Sequence, residues 1–122
     1  MAEYLPLHDD GDAITRQASA AITGGQLVIV SGSGTVAPAS AAAATWLGVA
    51  GNDAASGDNV VIFCGGVQRL VASGAITAGN TVEAAASGQV AAHTNGTNDV
   101  NIVGLALTSA TNGNLVEVKP TR

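Results

Sequence analysis

Aromatic side chains are nearly absent from this chain. Tyr4, Trp46 and Phe63 are the whole set among 122 residues. A face that stacks on sugars would present more rings than this. Charge is scarce too: charged residues make up 11%, against about 25–35% for a typical free surface. A surface this neutral, built of Ala, Gly, Ser, Thr and Asn, reads as one that a partner partly covers. The only cations are Arg16, Arg69, Lys119 and Arg122, and the net charge is −5. Nucleic-acid binding needs a basic patch to neutralise phosphates, and none exists. Anionic membrane is excluded on the same ground. No apolar run approaches the roughly 20 residues of a spanning helix.

Cysteine is reduced to Cys64, which cannot form an internal disulfide and reads as a small buried hydrophobe. The opening MAEYLPLHDD lacks the basic and apolar regions of a signal peptide. Synthesis in a cytoplasm is the expectation. No recognisable catalytic or metal constellation is present. His8-Asp9-Asp10-Gly11-Asp12 has no closing Glu at calcium-loop spacing, since Gln17 lies six residues after Gly11. It reads as a solvated turn. His8 and His93 have no partner at zinc spacing and read as exposed loop histidines. The Gly-rich segments lack the Lys and following helix of a phosphate-binding loop, and no GxSxG elbow accompanies the serines. The sequence therefore implies no enzyme, cofactor or metal.

What is present is a duplication. GDAITRQASAAITGGQLV starts at Gly11, and GGVQRLVASGAITAGNTV starts at Gly65. At an offset of 54 they share Ala18/Ala72, Ser19/Ser73, Ile22/Ile76, Thr23/Thr77, Gly25/Gly79 and Val28/Val82. The register then slips by two, so Gly48/Gly104, Ala50/Ala106, Gly57/Gly113 and Val60/Val116 match at 56. Such self-similarity implies two like halves on a shared core, here expected to superpose through a pseudo-two-fold. The division is an N-terminal arm over 1–10, a first β repeat over 11–64 and a second over 65–122. The two repeats form one globular domain, 11–122.

Short β-branched segments separated by Gly, Asn and Ser predict an all-β fold, a compact barrel or sandwich. Strands are expected at 26–30, 35–37, 46–50, 59–64, 67–72, 81–84, 89–92, 101–107 and 115–119. Ser31-Gly32-Ser33-Gly34 and Ser87-Gly88 close hairpins; Gly57 and Gly113 supply turn conformations. Residues 38–45 and 93–100 read as loops or single helical turns. The expected core is Val28, Val30, Val49, Val60, Ile62, Phe63, Leu70, Val82, Ile102, Leu105, Val116 and Val118. Trp46 reads either as core or as an interface anchor. Arg16 and Arg69, one residue out of register in the two halves, can pair with carboxylates on neighbouring strands or across a subunit boundary.

The Ala21-Ile22-Thr23-Gly24-Gly25 and Ala75-Ile76-Thr77-Ala78-Gly79 elements carry a family likeness. So do Leu47-Gly48-Val49-Ala50, Val103-Gly104-Leu105-Ala106 and the ending Leu115-Val116-Glu117-Val118. The chain resembles the small capsid decoration proteins (head-stabilising, or cement, proteins) of tailed bacteriophages. The resemblance implies binding to the outer face of an assembled major capsid protein shell, on the virion exterior. It also implies a homo-trimer there and no catalysis. The arm residues Ala2, Glu3, Tyr4, Leu5, Pro6 and Leu7 are the expected capsid contact, by strand addition to a partner's sheet. A surface β module that binds a carbohydrate or receptor is the alternative.

Overall fold

The computed structural model describes residues 13–122, so the expected arm and the His8–Asp12 turn lie outside the described residues. The fold is almost entirely β, as the sequence predicts. Its strands are β1 (Ala13–Ala18), β2 (Leu27–Gly32), β3 (Thr35–Pro38), β4 (Trp46–Ala50) and β5 (Asn59–Phe63). They continue with β6 (Gln68–Val71), β7 (Thr81–Ala85), β8 (Gln89–Ala92), β9 (Ile102–Ala106) and β10 (Leu115–Pro120). Alternation drives them. In β10, Val116 and Val118 turn inward and are fully buried, while Leu115, Glu117 and Lys119 face out. β1 has no counterpart among the expected strands. Its AITRQA pattern is half polar, yet it occupies the position of β6 in the repeat.

The first five strands close into a barrel in the order β1-β3-β2-β4-β5. Closure comes from β1, which runs antiparallel to β5 from Ala13–Phe63 to Gln17–Asn59. Its other edge pairs parallel with β3 at Gln17–Thr35 and Ala18–Val36. The last five strands repeat that order as β6-β10-β9-β7-β8. Here the closing contact shrinks to one parallel bridge, Ala72–Val90. Each repeat thus forms its own five-stranded unit.

The duplication holds to single hydrogen bonds. Ile22 bridges Ala54 and Ile76 bridges Ala110, both antiparallel. The Ile22 N–H donates to Ala54 O at 2.8 Å, and the Ile76 N–H to Ala110 O at 2.9 Å. Val28 pairs Gly48 and Val82 pairs Gly104, each followed by a register shift. At those two glycines the neighbouring strand comes close: a Cβ on Gly48 would lie 2.5 Å from Phe63 O, and one on Gly104 would collide with Lys119 O. Ala42 and Asn98, at φ 55° and 51°, hold matching left-handed positions in the β3–β4 and β8–β9 loops. The second of these loops is two residues longer and contains a 3-10 turn at Asp99–Asn101. That insertion is the slip from 54 to 56.

Two apolar clusters form among the described residues. One lies wholly inside the first barrel and includes Val28, Val36, Val60 and Ile62. The other combines the interior of the second unit with four first-repeat residues that point out of their own barrel: Leu27, Ala39, Trp46 and Val49. Three expected core residues are surface residues instead: Val30 is 49% exposed, Phe63 46% and Leu105 42%. Ile102 is half-buried. Phe63 and Leu105 fall on the outward parity of strands whose neighbours Ile62 and Ala106 face in. Val30 has the inward parity of its counterpart Ala84, which is buried, but about half of its surface stays exposed.

The repeats meet along the β3–β4 loop. Ala42 N–H donates to Ala84 O at 2.8 Å, and Gly88 N–H donates to Ala39 O at 3.0 Å. The Gln26 side-chain amide donates to Ser87 O at 3.0 Å. These contacts do not recur with the halves exchanged, so the seam lacks the reciprocity of a pseudo-two-fold.

Candidate functional site

The first place of interest is the end of the first barrel at which the described residues begin. Ala13, the first described residue, opens β1 opposite Phe63 at the end of β5. The chain's other end reaches the same pole, where Gly65 N–H donates to Arg122 O at 3.1 Å. Phe63 and Val67, 53% exposed, make this pole apolar. The Phe63 ring lies over Gly51, where a Cβ would come within 2.5 Å of it. The start of β1, the C-terminal residues and the linker between repeats therefore share one apolar end. Cys64 sits in that linker, half-buried, and burial pushes its thiol pKa up.

Trp46 is 2% exposed. Its indole N–H donates to Ile102 O in the other repeat at 3.2 Å. The Arg122 guanidinium lies 4.4 Å from the ring centroid and donates to Trp46 O and, at 3.2 Å, to Ala44 O. Trp46 thus anchors the contact between repeats. Arg16 folds onto Thr15 O at 2.9 Å on the first barrel. Arg69 stands in β6 opposite Glu117 of β10. Neither arginine makes an ion pair among the described residues. Arg69 does line a cleft of about 330 Å³ between the loop at residues 23–26 and the poorly closed β6/β8 edge, with Val71, Gln89 and Leu115. The structure brings none of these three residues together.

One polar cluster escaped sequence reasoning. His93, expected exposed, is buried at 8%. Its Nδ1 lies 2.7 Å from Glu83 Oε1 and its Nε2 3.0 Å from Asp99 Oδ1. A neutral imidazole has one N–H and cannot donate to two ionised carboxylates at once, so the arrangement favours the imidazolium. The hydrogen bonds to Asp99 and Glu83 raise its pKa above the ordinary value against the opposing effect of burial. Asp99 in turn is lowered by His93 and by the Gly96 N–H. His93 replaces Ala39 of the first repeat, and its backbone keeps the same bond: Ala39 N–H donates to Leu27 O, and His93 N–H to Thr81 O. The cluster pins the longer loop; the only sequence signal for it is that substitution inside the repeat. Among the described residues, no group of three His, Cys, Asp or Glu side chains is placed to hold a metal ion. No described helix is long and apolar enough to cross a membrane.

Comparison with known proteins adds to this geometry. The head fiber gp8.5 N base of bacteriophage phi29 is similar in structure, with a TM-score of 0.70 and 17% identity, over 90% of this chain and 93% of that one. At that identity the likeness shows a shared fold. No curated protein matches the chain in sequence. The sequence pattern of phage cement proteins matches residues 8–120, both repeats included. With the duplicated all-β architecture, this match makes the chain a member of the phage cement protein family.

Proposed function

We propose that the chain binds the outer surface of an assembled phage capsid and stabilises the lattice of its major capsid protein. The match to phage cement proteins over residues 8–120 carries the reading. The fold shared with a phage head fiber base agrees with it. The mechanism needs no chemistry. A ligand that binds only the assembled shell shifts the assembly equilibrium by mass action, by about 2.7 kcal/mol per site at a hundredfold excess over Kd. A capsid offers many equivalent sites, so modest affinity at each is enough.

The arm residues Ala2 to Leu7 are the main capsid contact. They would leave the barrel at the pole that Phe63 and Val67 make apolar. Pro6 restricts the segment before docking and so lowers the entropy lost on ordering. On the capsid the copies form a trimer, and the protein is made in the host cytoplasm. A carbohydrate-binding module gains no support from the described residues, because Trp46 is inside and Phe63 is the only half-exposed aromatic ring. The test is to add the purified chain to capsids that lack it and follow shell melting. The reading expects saturable co-sedimentation and a raised melting temperature. No binding, or binding without stabilisation, would refute it.

A further inference from the structure

The two five-stranded units differ in how they close. β1 closes the first through two parallel pairs with β3, Gln17–Thr35 and Ala18–Val36. The counterparts in the second unit are Val71–Gln89 and Ala72–Val90, and only the latter bridges. A cleft of about 330 Å³ opens where the Val71–Gln89 pair is missing, with Thr23 and Gln26 of the first repeat as its other wall. It continues past Leu115 into a shallow depression of about 460 Å³ beside Ala75, Ala110 and Thr111. Leu115, between the two, is 56% exposed. Backbone groups are open here too. The Ala72 N–H donates to Asn114 O, and Ala72 O accepts from the Gly113 N–H, both at 2.8 Å, so Ala72 turns its backbone toward β10. Ser73 turns the other way and donates to Val90 O at 2.7 Å. By the alternation of a strand, the N–H groups of Arg69 and Val71 then face the cleft edge. On that edge β6 has no paired strand among the described residues. The Arg69 side chain lines the cleft without an ion pair among the described residues.

We infer that the free chain docks its own N-terminal segment, residues 1–12, in this cleft, antiparallel along the open edge of β6. Reach allows it. Ala13 pairs with Phe63, about 5 Å away across the ladder. The chain from Phe63 to Arg69 then spans at most about 20 Å, and the residues before Ala13 extend to about 40 Å. Direction agrees. β6 starts beside the linker, at the pole where Ala13 lies, and runs away from it. A segment running back from Ala13 along β6 is therefore antiparallel to it. Charge agrees as well: residues 1–12 carry Glu3, Asp9, Asp10 and Asp12 and no Lys or Arg. So does order. Counted back from Ala13, Asp10 and Asp9 come before Leu7, Leu5 and Tyr4. Counted along β6, Arg69 comes before Val71 and its cross-strand partner Leu115. Carboxylates thus meet the guanidinium, and apolar side chains meet Val71 and Leu115. Pro6 is compatible with a strand at a sheet edge. The inference concerns the free chain and does not rest on the capsid reading; where that reading holds, the shell competes with the cleft for the same segment.

Amide hydrogen exchange on the free full-length chain tests this without capsids, so its failure is distinct from a failure to co-sediment. A segment this short adds too little β structure for circular dichroism to register, so that method serves only to check folding. Deleting residues 2–7 is expected to speed exchange of the Val71 N–H roughly tenfold, as for a docked state favoured roughly ten to one. The Ala72 N–H, bonded to Asn114 O, is expected to keep its protection. Arg69→Gln keeps the segment and removes the cation; it is expected to speed Val71 exchange roughly threefold. It carries the test alone should the deletion fail to fold. A synthetic peptide of residues 1–12, added to the deletion variant, is expected to restore the protection. Unchanged exchange at Val71 in either folded variant, or an equal acceleration at Ala72, would overturn the inference. Protection at Val71 that rises with protein concentration would place the segment in a neighbouring copy and overturn it as well.

Discussion

Trp46→Ala is expected to be the most damaging single truncation among the described residues and to uncouple the two halves. The ring is 2% exposed and belongs to the apolar cluster of the second unit although its strand belongs to the first. Removing a buried Trp destabilises by about 3–5 kcal/mol through lost transfer and the cavity left behind. The indole bond to Ile102 O contributes about 1 kcal/mol more. Against a total stability of about 5–15 kcal/mol, the loss is about a quarter or more of the whole. Trp46→Phe keeps most of the apolar volume and drops the N–H bond, so about 1–2 kcal/mol is expected. Arg122→Ala removes the stacking at 4.4 Å and both guanidinium bonds, for about 1–2 kcal/mol. Combined with Trp46→Ala it should add less than its own value, because the two side chains act on each other. The assay is urea unfolding followed by far-ultraviolet circular dichroism, since Trp46 is also the only Trp fluorophore. The wild type should unfold in one transition and Trp46→Ala in two, as the units lose their link. A Trp46→Ala protein within about 1 kcal/mol of wild type, still with one transition, would refute this account of the seam.

Other outcomes follow from single sites. His93 has a raised folded pKa, so its contribution to stability is complete below its unfolded value of 6.5 and is lost as pH rises through the folded value. Asp99 is lowered, so its contribution is present above 3.8 and is lost as pH falls through its folded value. NMR titration should therefore find His93 protonated above pH 6.5, and an unshifted midpoint would contradict the doubly paired imidazolium. Gly104→Ala should destabilise by about 1–3 kcal/mol, because the added methyl meets backbone at Lys119; thermal melting checks it. Deleting residues 2–7 should leave the circular dichroism spectrum unchanged and abolish capsid co-sedimentation. Cys64 should react with thiol reagents at neutral pH more slowly than an exposed cysteine, since its raised pKa leaves less thiolate.

Much of this architecture is legible in the sequence because it is written twice. The matched Ile22/Ile76 and Gly48/Gly104 positions occupy matched bridges and close strand crossings. The strands β4 and β8 fall at 46–50 and 89–92 as read. β1 was missed because its alternation is half polar, although the offset from β6 would have located it. Val30, Phe63 and Leu105 were misplaced for two reasons. Composition does not reveal which parity of an apolar run faces in, and it does not reveal which barrel end a neighbour covers. The His93 cluster depends on Glu83 and Asp99 meeting one ring from two elements, and neither spacing is a recognised motif. Of the expected contact residues, Trp46, read either as core or as an interface anchor, is buried in the cluster of the second unit, while the arm lies outside the described residues.

The central claim is that this protein sits on the outside of a phage shell and holds it together. A reconstruction of capsids incubated with the full-length chain tests it most directly. The account predicts density for the paired five-stranded units on the outer surface, with copies touching one another and an extended segment from the Phe63 end lying on the capsid protein. Density inside the shell, or isolated copies that contact the capsid through another face with no extended segment, would contradict it.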